Sequence, residues 1–393
     1  MKPVKMNEGI DWVGIVDWDR RLFDALIPLP DGTSYNSWIV RGSKKNALID
    51  TVDPAFADRW CEDLLVTGTR IDYVVMNHAE QDHSGTIPRV LGMYPDAKLL
   101  TSEKGRGLAI DMLAVPEDRI SVVKDGETVS LGDRTLQFIY FPWVHWPETM
   151  LTWVPELGTL LSGDLFGAHL CQSDLFVSDD AALRLSAKRY FAEIMLPFRA
   201  IIEKNLPKVA ALDLRYIGPS HGPAHNRPSL IIDAYREWLS PEPKNLVLLP
   251  FVSMHDSTRI MVNRLVESLA ALGVRVERFD LADTDTGKLA MALVDAATIV
   301  LATPTVLGGA HPRAAYAAFL ANALRPKAKF ISVMGSYGWG GKAVEQLVSM
   351  MPNIKAEVIE PLLVKGLPRE ADLQKVDALA SAIASRHATM ERT

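Results

Sequence analysis

Two prolines with a single glutamate between them, in Leu239-Ser240-Pro241-Glu242-Pro243-Lys244-Asn245, divide this chain more firmly than any other feature. Proline fixes its own φ, offers no N–H and pushes the residue before it out of the helical region. The helical pattern over 231–238 therefore stops at this seam, and a new apolar run starts at Leu246. A chain of 393 residues, 48% of them apolar, also holds more than one ordinary core. Two domains are expected, residues 1–243 and 244–393.

The two parts differ in rhythm. Before the seam, the apolar runs 37–40, 46–49, 73–76, 135–140 and 159–161 read as strands, with helical patterns around 55–65 and 105–113 between some of them. Mixed sheets covered by helices are the expected result. After the seam, a strand at 246–252 precedes a helix over 258–272, and strands follow at 274–279, 298–302, 329–333 and 357–363. Strands that alternate with helical patterns imply right-handed βαβ units and a doubly wound parallel sheet.

The strongest local signal is Asn77-His78-Ala79-Glu80-Gln81-Asp82-His83-Ser84-Gly85, directly after an apolar strand. In extended chain, alternate side chains share a face, so His78 and Glu80 converge on one ion. Asp82 and His83 are adjacent and diverge, which lets them serve a second ion as the chain turns. Ser84 is of the type that caps a helix, and a helix is expected to start there. Three more ligand-type residues follow strands in the same manner: His145 in Trp143-Val144-His145-Trp146-Pro147, Asp164 in Ser162-Gly163-Asp164, and His221 in Pro219-Ser220-His221-Gly222. Taken singly, such a histidine or aspartate is more often a structural hydrogen-bonder than a ligand. Two imidazoles and two carboxylates at one strand end are much more specific.

The order HxExDH, then His, Asp and His, resembles the metallo-β-lactamase superfamily and, within it, the flavodiiron proteins. The superfamily's hydrolases usually carry histidine where this chain has Glu80. Ser34-Tyr35-Asn36-Ser37, Ala47-Leu48-Ile49-Asp50-Thr51-Val52 and His145-Trp146-Pro147 are similar to the flavodiiron pattern as well, and the similarity runs over essentially the whole chain. The resemblance implies an α/β chain, with a metallo-β-lactamase-like αββα sandwich followed by a flavodoxin-like doubly wound five-stranded parallel sheet. It also implies a di-iron centre. One iron takes His78, Glu80 and His145, the other takes Asp82 and His221 with His83 as a further candidate, and Asp164 bridges them. Mixed imidazole and carboxylate ligation suits iron that changes oxidation state, although ligand type alone does not fix the metal and zinc is the alternative. His225 is read as lying behind the ligands or on the surface.

In the second part, Ser253-Met254-His255-Asp256-Ser257-Thr258 opens a helix and resembles the flavodoxin loop that holds the FMN phosphate with hydroxyls and backbone amides. Flavodoxins commonly have glycine where Asp256 stands. Its carboxylate would repel phosphate, so it is expected to point outward. Thr303-Pro304-Thr305-Val306-Leu307-Gly308-Gly309-Ala310 and Gly335-Ser336-Tyr337-Gly338-Trp339-Gly340-Gly341 resemble the loops that grip the isoalloxazine ring. All three follow core strands, where such sheets bind ligands. No GxGxxG fingerprint for a dinucleotide is present.

A flavin that passes electrons to two irons implies reduction of dioxygen to water or of nitric oxide to nitrous oxide, with dioxygen favoured. The resemblance further implies a head-to-tail homodimer, or a dimer of dimers. Its electron donor would be external, either a rubredoxin-like protein or a reduced deazaflavin. A net charge of -6 argues against nucleic acid as a partner. Two distant cysteines, Cys61 and Cys171, offer no CxxC iron or zinc site. Low cysteine use and the lack of signal-like or membrane-length apolar runs lead to a cytoplasmic expectation without membrane association. The rival readings are a zinc-dependent hydrolase with an attached flavodoxin module, against which Glu80 speaks, and an electron carrier whose metal site is structural.

Overall fold

The computed structural model describes residues 2–390. The chain forms two compact units, Met1–Leu239 and Ser240–Thr393. Among the described residues no helix is long and apolar enough to cross a membrane.

The first unit is built on two sheets. One has seven strands in the order Val4–Asn7, Ile10–Trp12, Trp38–Arg41, Asn46–Ile49, Tyr73–Val75, Lys98–Thr101 and Ile120–Val122. The other has five, ordered Thr128–Ser130, Thr135–Tyr140, Met150–Val154, Thr159–Gly163 and Tyr216–Pro219. Strand alternation explains the layering. Trp38, Val40, Ala47, Ile49, Val75 and Leu100 pack with Leu136, Phe138, Met150 and Leu161 of the second sheet. Ile39, Leu48, Val74 and Leu99, on the opposite face, pack under Trp60, Leu64, Val90 and Ala109 of helices Ala57–Val66, Ile87–Met93 and Glu103–Leu113. Both faces are buried, which is why these strands read as unbroken apolar runs rather than as alternation.

The second unit is a parallel sheet ordered Arg275–Asp280, Lys244–Phe251, Ala296–Val306, Phe330–Tyr337 and Glu357–Val358. In chain order this is 2-1-3-4-5, the flavodoxin arrangement, whose ligand crevice lies where the winding reverses, at the C-terminal ends of the first and third strands. The fifth strand, expected as one run over 357–363, comes in two pieces. Glu357–Val358 and Leu362–Lys365 both pair with Phe330–Tyr337, and Pro361, which cannot donate to a ladder, lies in the gap. A two-residue strand, Gly309–Ala310, folds back antiparallel on the end of Ala296–Val306.

The long C-terminal helix Glu370–Met390 is tied to this sheet by a buried histidine. His387 Nε2 lies 2.7 Å from Thr298 Oγ1, and its Nδ1 lies 2.8 Å from Asn245 Oδ1. Burial pushes its pKa down to about 4. The unfolded chain, with histidine near 6.5, therefore binds more protons than the folded one between those values. Stability from this site is complete above pH 6.5 and declines as the pH falls toward 4. Denaturant unfolding followed at pH 7.5 and pH 5 should show a lower midpoint at pH 5, and His387→Gln should flatten that difference.

Candidate functional site

The loops after four strands of the first unit bring all seven expected metal ligands together. His78, Glu80, His145 and Asp164 form one group with ligand atoms close enough to share an ion, and Asp82, His83 and His221 form a second. In the first group, Glu80 Oε2 lies 3.2 Å from His78 Nε2 and 3.1 Å from His145 Nε2. In the second, the two Asp82 oxygens lie 3.3 Å from His83 Nε2 and 3.1 Å from His221 Nε2. Asp164 faces both groups. Its Oδ2 is 3.1 Å from His145 Nε2 and 3.5 Å from His78 Nε2, while its Oδ1 is 3.0 Å from His83 Nε2 and 3.6 Å from His221 Nε2.

The local chain explains the convergence. Asn77 N–H donates to Asp50 Oδ1 at 2.8 Å, its side-chain amide reaches Asp50 Oδ2 at 3.1 Å, and its Oδ1 accepts from Thr152 Oγ1 at 2.8 Å. Asn77 thereby joins the end of Asn46–Ile49 to Met150–Val154, in the other sheet, directly beneath His78. Ser84 does not begin a helix. A single turn, Gln81–Ser84, starts after Glu80 and ends at Ser84. The Ser84 hydroxyl donates back to Ala79 O at 2.6 Å, so it closes the ligand turn instead of capping the next helix.

Burial makes this cluster electrostatically demanding. Desolvation opposes charge on His78, but hydrogen bonds to Glu148 and Glu80 and the Asp164 carboxylate outweigh it and hold the imidazole well above its usual range. His83 behaves in the same way: burial is overcome by Asp82 and Asp164, and its pKa is pushed up to about 10. Burial of Asp164 is likewise overridden, chiefly by His83 and His145, which hold its carboxyl well below the usual range. Asp82 Oδ1 and Oδ2, both His83 ring nitrogens and Asp164 Oδ1 are buried without a hydrogen-bond partner. Buried polar atoms are normally paired. These unpaired atoms lie at the second group; together with the clustered ligand atoms of the first, the mixed imidazole and carboxylate set fits a pair of metal ions of the iron or zinc type.

Because the carboxylates favour the protonated forms of His78 and His83 when no metal is bound, a metal must displace those protons. Metal affinity should fall with falling pH, and loading should release protons into the buffer. Calorimetric titration of metal-free protein in buffers of different ionisation enthalpy checks this; uptake independent of the buffer would count against it.

Several residues at this site are not legible in the ligand pattern. Glu148 stands three residues past His145 and is fully buried against His78. Asp50 is buried, which pushes its carboxyl up to about 6. His169 Nδ1 lies 2.8 Å from Thr33 Oγ1, its Nε2 is buried without a partner, and its ring packs 4.9 Å from that of His221. Tyr190 packs on both rings. His225 lies behind the ligands: it is buried, its Nε2 is 3.3 Å from Phe166 O, and burial pushes its pKa down to about 4.

In the second unit, Ser253, Met254, His255, Ser257, Thr258, Pro304, Thr305, Ser336, Tyr337 and Gly338 line one open cleft. Gly366, which sequence reasoning passed over, joins them. The remaining expected residues do not line it. Thr303 is buried with its hydroxyl accepting from His311 N–H at 3.1 Å. Leu307 and Trp339, at 96% and 83% exposed, stand in solvent. Val306 and Gly309 pair where Ala296–Val306 meets Gly309–Ala310, and Gly308 and Gly340 lie in the adjoining turns. Asp256 points outward to Arg259 Nε at 3.3 Å, and its φ of 60° is the left-handed conformation that glycine adopts freely. The Thr258 and Ser336 hydroxyls, 3.1 Å apart, sit by the N-terminus of the helix Ser257–Ala271. Hydroxyls at a helix N-terminus suit a phosphate, and the adjoining loops suit a flat ring, so the cradle fits FMN.

Comparisons with known proteins agree with this geometry. A family model described as ODP family beta lactamase matches residues 33–222. The nitric oxide reductase of Moorella thermoacetica is 35% identical, over 98% of this chain and 99% of its own length. Rubredoxin oxygen:oxidoreductase from Desulfovibrio gigas superposes with a TM-score of 0.95 at 27% identity, covering 100% of each chain. The flavodiiron protein from Giardia intestinalis gives a TM-score of 0.92 at 26% identity, covering 99% of this chain and 98% of that one.

Proposed function

This chain belongs to the flavodiiron protein family, and from that premise we propose that it reduces dioxygen to water, and nitric oxide to nitrous oxide, at one di-iron site, with dioxygen the preferred substrate. As a member it is an oxidoreductase, and its cofactors are FMN and a di-iron centre. Four electrons and four protons convert dioxygen to two waters; two electrons and two protons convert two nitric oxide molecules to nitrous oxide and one water.

The observation that carries the reading is Asp164, whose two oxygens face two separate ligand groups. In this assignment His78, Glu80 and His145 would hold one iron, Asp82, His83 and His221 would hold the other, and Asp164 would serve both. When bound, the irons supply redox chemistry and a template for a diatomic molecule, and FMN supplies electrons one at a time. The side chains do the rest. Buried His78, His83, Asp164 and His221 fix the floor, while Glu80 and His145 keep 19% and 16% of their side chains exposed and so mark the side from which a small substrate enters. Trp146, perpendicular to His78 at 5.0 Å, and Phe23, edge-on to His221 at 5.9 Å, supply apolar walls that limit water.

Two finer points belong to the same proposal. Electrons arrive from an external donor, a rubredoxin-like protein or a reduced deazaflavin. The working assembly is a head-to-tail homodimer in which one chain's flavin serves the other chain's irons. The test of substrate preference is the rate at which reduced protein consumes each gas at equal concentration. Faster dioxygen uptake supports the proposal, and nitric oxide uptake that clearly outpaces it overturns the preference.

A further inference from the structure

We propose that Glu148 is a positioning residue that makes the two irons unequal, by directing a full carboxylate charge at His78 and so lowering the reduction potential of the iron His78 holds. Glu148 is 2% exposed and tightly constrained. Its Oε1 accepts from His78 Nδ1 at 2.8 Å and from Ala79 N–H at 2.9 Å, so one oxygen clamps two successive residues of the ligand turn. Its Oε2 is buried with no hydrogen-bond partner. Its backbone oxygen accepts from Ser102 Oγ at 2.7 Å, which fixes the chain behind it.

The consequence is both tautomeric and electronic. With Nδ1–H donating a hydrogen bond to the Glu148 carboxylate, the Nε2 lone pair of His78 is turned into the ligand group, 3.2 Å from Glu80 Oε2 and 3.5 Å from Asp164 Oδ2. A carboxylate that draws on the far proton makes the imidazole a stronger donor, and this stabilises the more highly charged metal state. The other group lacks an equivalent. His221 Nδ1 lies 2.7 Å from the neutral carbonyl of Ser34, and His83 Nδ1 is buried without a partner. The iron on the His78 side is therefore the harder one to reduce.

This inference rests on the di-iron reading, and the test separates the two. Protein with FMN and two irons, as wild type and as Glu148→Gln and Glu148→Asp, is titrated anaerobically through redox mediators, and each iron is followed by Mössbauer spectroscopy. Glu148→Gln keeps the shape and removes the charge. Its expected effect is an approximately tenfold shift of one iron's reduction equilibrium toward the ferrous form, equivalent to about 59 mV for one electron. The second iron should move by much less, and Glu148→Asp should fall between wild type and Glu148→Gln. Unchanged potentials, or equal shifts of both irons, overturn the proposal. If Glu148→Gln does not fold, Glu148→Asp decides by the same criterion. Wild-type protein that takes up zinc and no iron would instead defeat the di-iron reading itself.

Discussion

Asp164→Ala should remove gas-reducing activity to background and release metal from both positions, while the protein still folds its second unit and holds FMN. The side chain is 2% exposed, and each of its oxygens faces a different ligand group. Among the described residues, no other carboxylate lies within ion-pair distance of imidazoles in both groups. Its loss also strips the imidazoles of His78, His83 and His145 of a shared counter-charge. Removing one partner from a buried charge cluster costs about 3–5 kcal/mol, so the metal-free variant should lose stability as well. Asp164→Asn keeps the shape and one acceptor oxygen and should retain part of the metal. Iron analysis, flavin absorbance and gas uptake on the same samples check the prediction. An Asp164→Ala protein that keeps both irons and turns over normally would show that the carboxylate does not bridge.

The second large effect is expected at Gly335, far in sequence from any metal ligand. Gly335 pairs with Thr303 across the two strands that carry the ring-binding loops. A Cβ at Gly335 would come within 2.1 Å of the Thr303 carbonyl oxygen. That atom is backbone in the middle of a ladder, so no rotamer change relieves the clash and the strands must part. Overpacking of this kind costs about 1–3 kcal/mol. If the strain falls on the binding-competent loops, FMN affinity drops about 5- to 150-fold. Gly335→Ala should therefore lose flavin on dilution or gel filtration while keeping its iron. Retention of FMN at wild-type affinity would place the ring away from these loops.

Much of the site was legible because metal and phosphate chemistry selects residue types at fixed places in a fold. His78, Glu80, Asp82, His145, Asp164 and His221 each follow a strand, and strand ends can be found from apolar runs alone. His83 was ambiguous because adjacency to Asp82 says nothing about the turn between them; the turn Gln81–Ser84 carries His83 Nε2 to 3.0 Å from Asp164. The residues behind the ligands were hidden for a different reason. Glu148 and Asp50 act through local hydrogen bonds that leave no periodic trace, even though both lie within or beside stretches already singled out. The short N-terminal strands, such as Leu22–Phe23 and Ile27–Pro28, offer too few residues for alternation to register. In the second unit the strand rhythm located all three loops, but rhythm does not say which loop residues face inward. Thus Leu307 and Trp339, expected at the flavin, have exposed side chains beside the cleft, while Gly366 lines it unannounced.

The most direct measurement is the metal and flavin content of protein purified from iron-supplied cells, by elemental analysis with flavin absorbance, followed by gas uptake after reduction. Two irons and one FMN per chain, with consumption of dioxygen or nitric oxide that ceases when the iron is chelated, is the expected result. Zinc in the metal site, after exclusion of substitution during expression, together with FMN and no gas uptake, would contradict the reductase and restore the hydrolase.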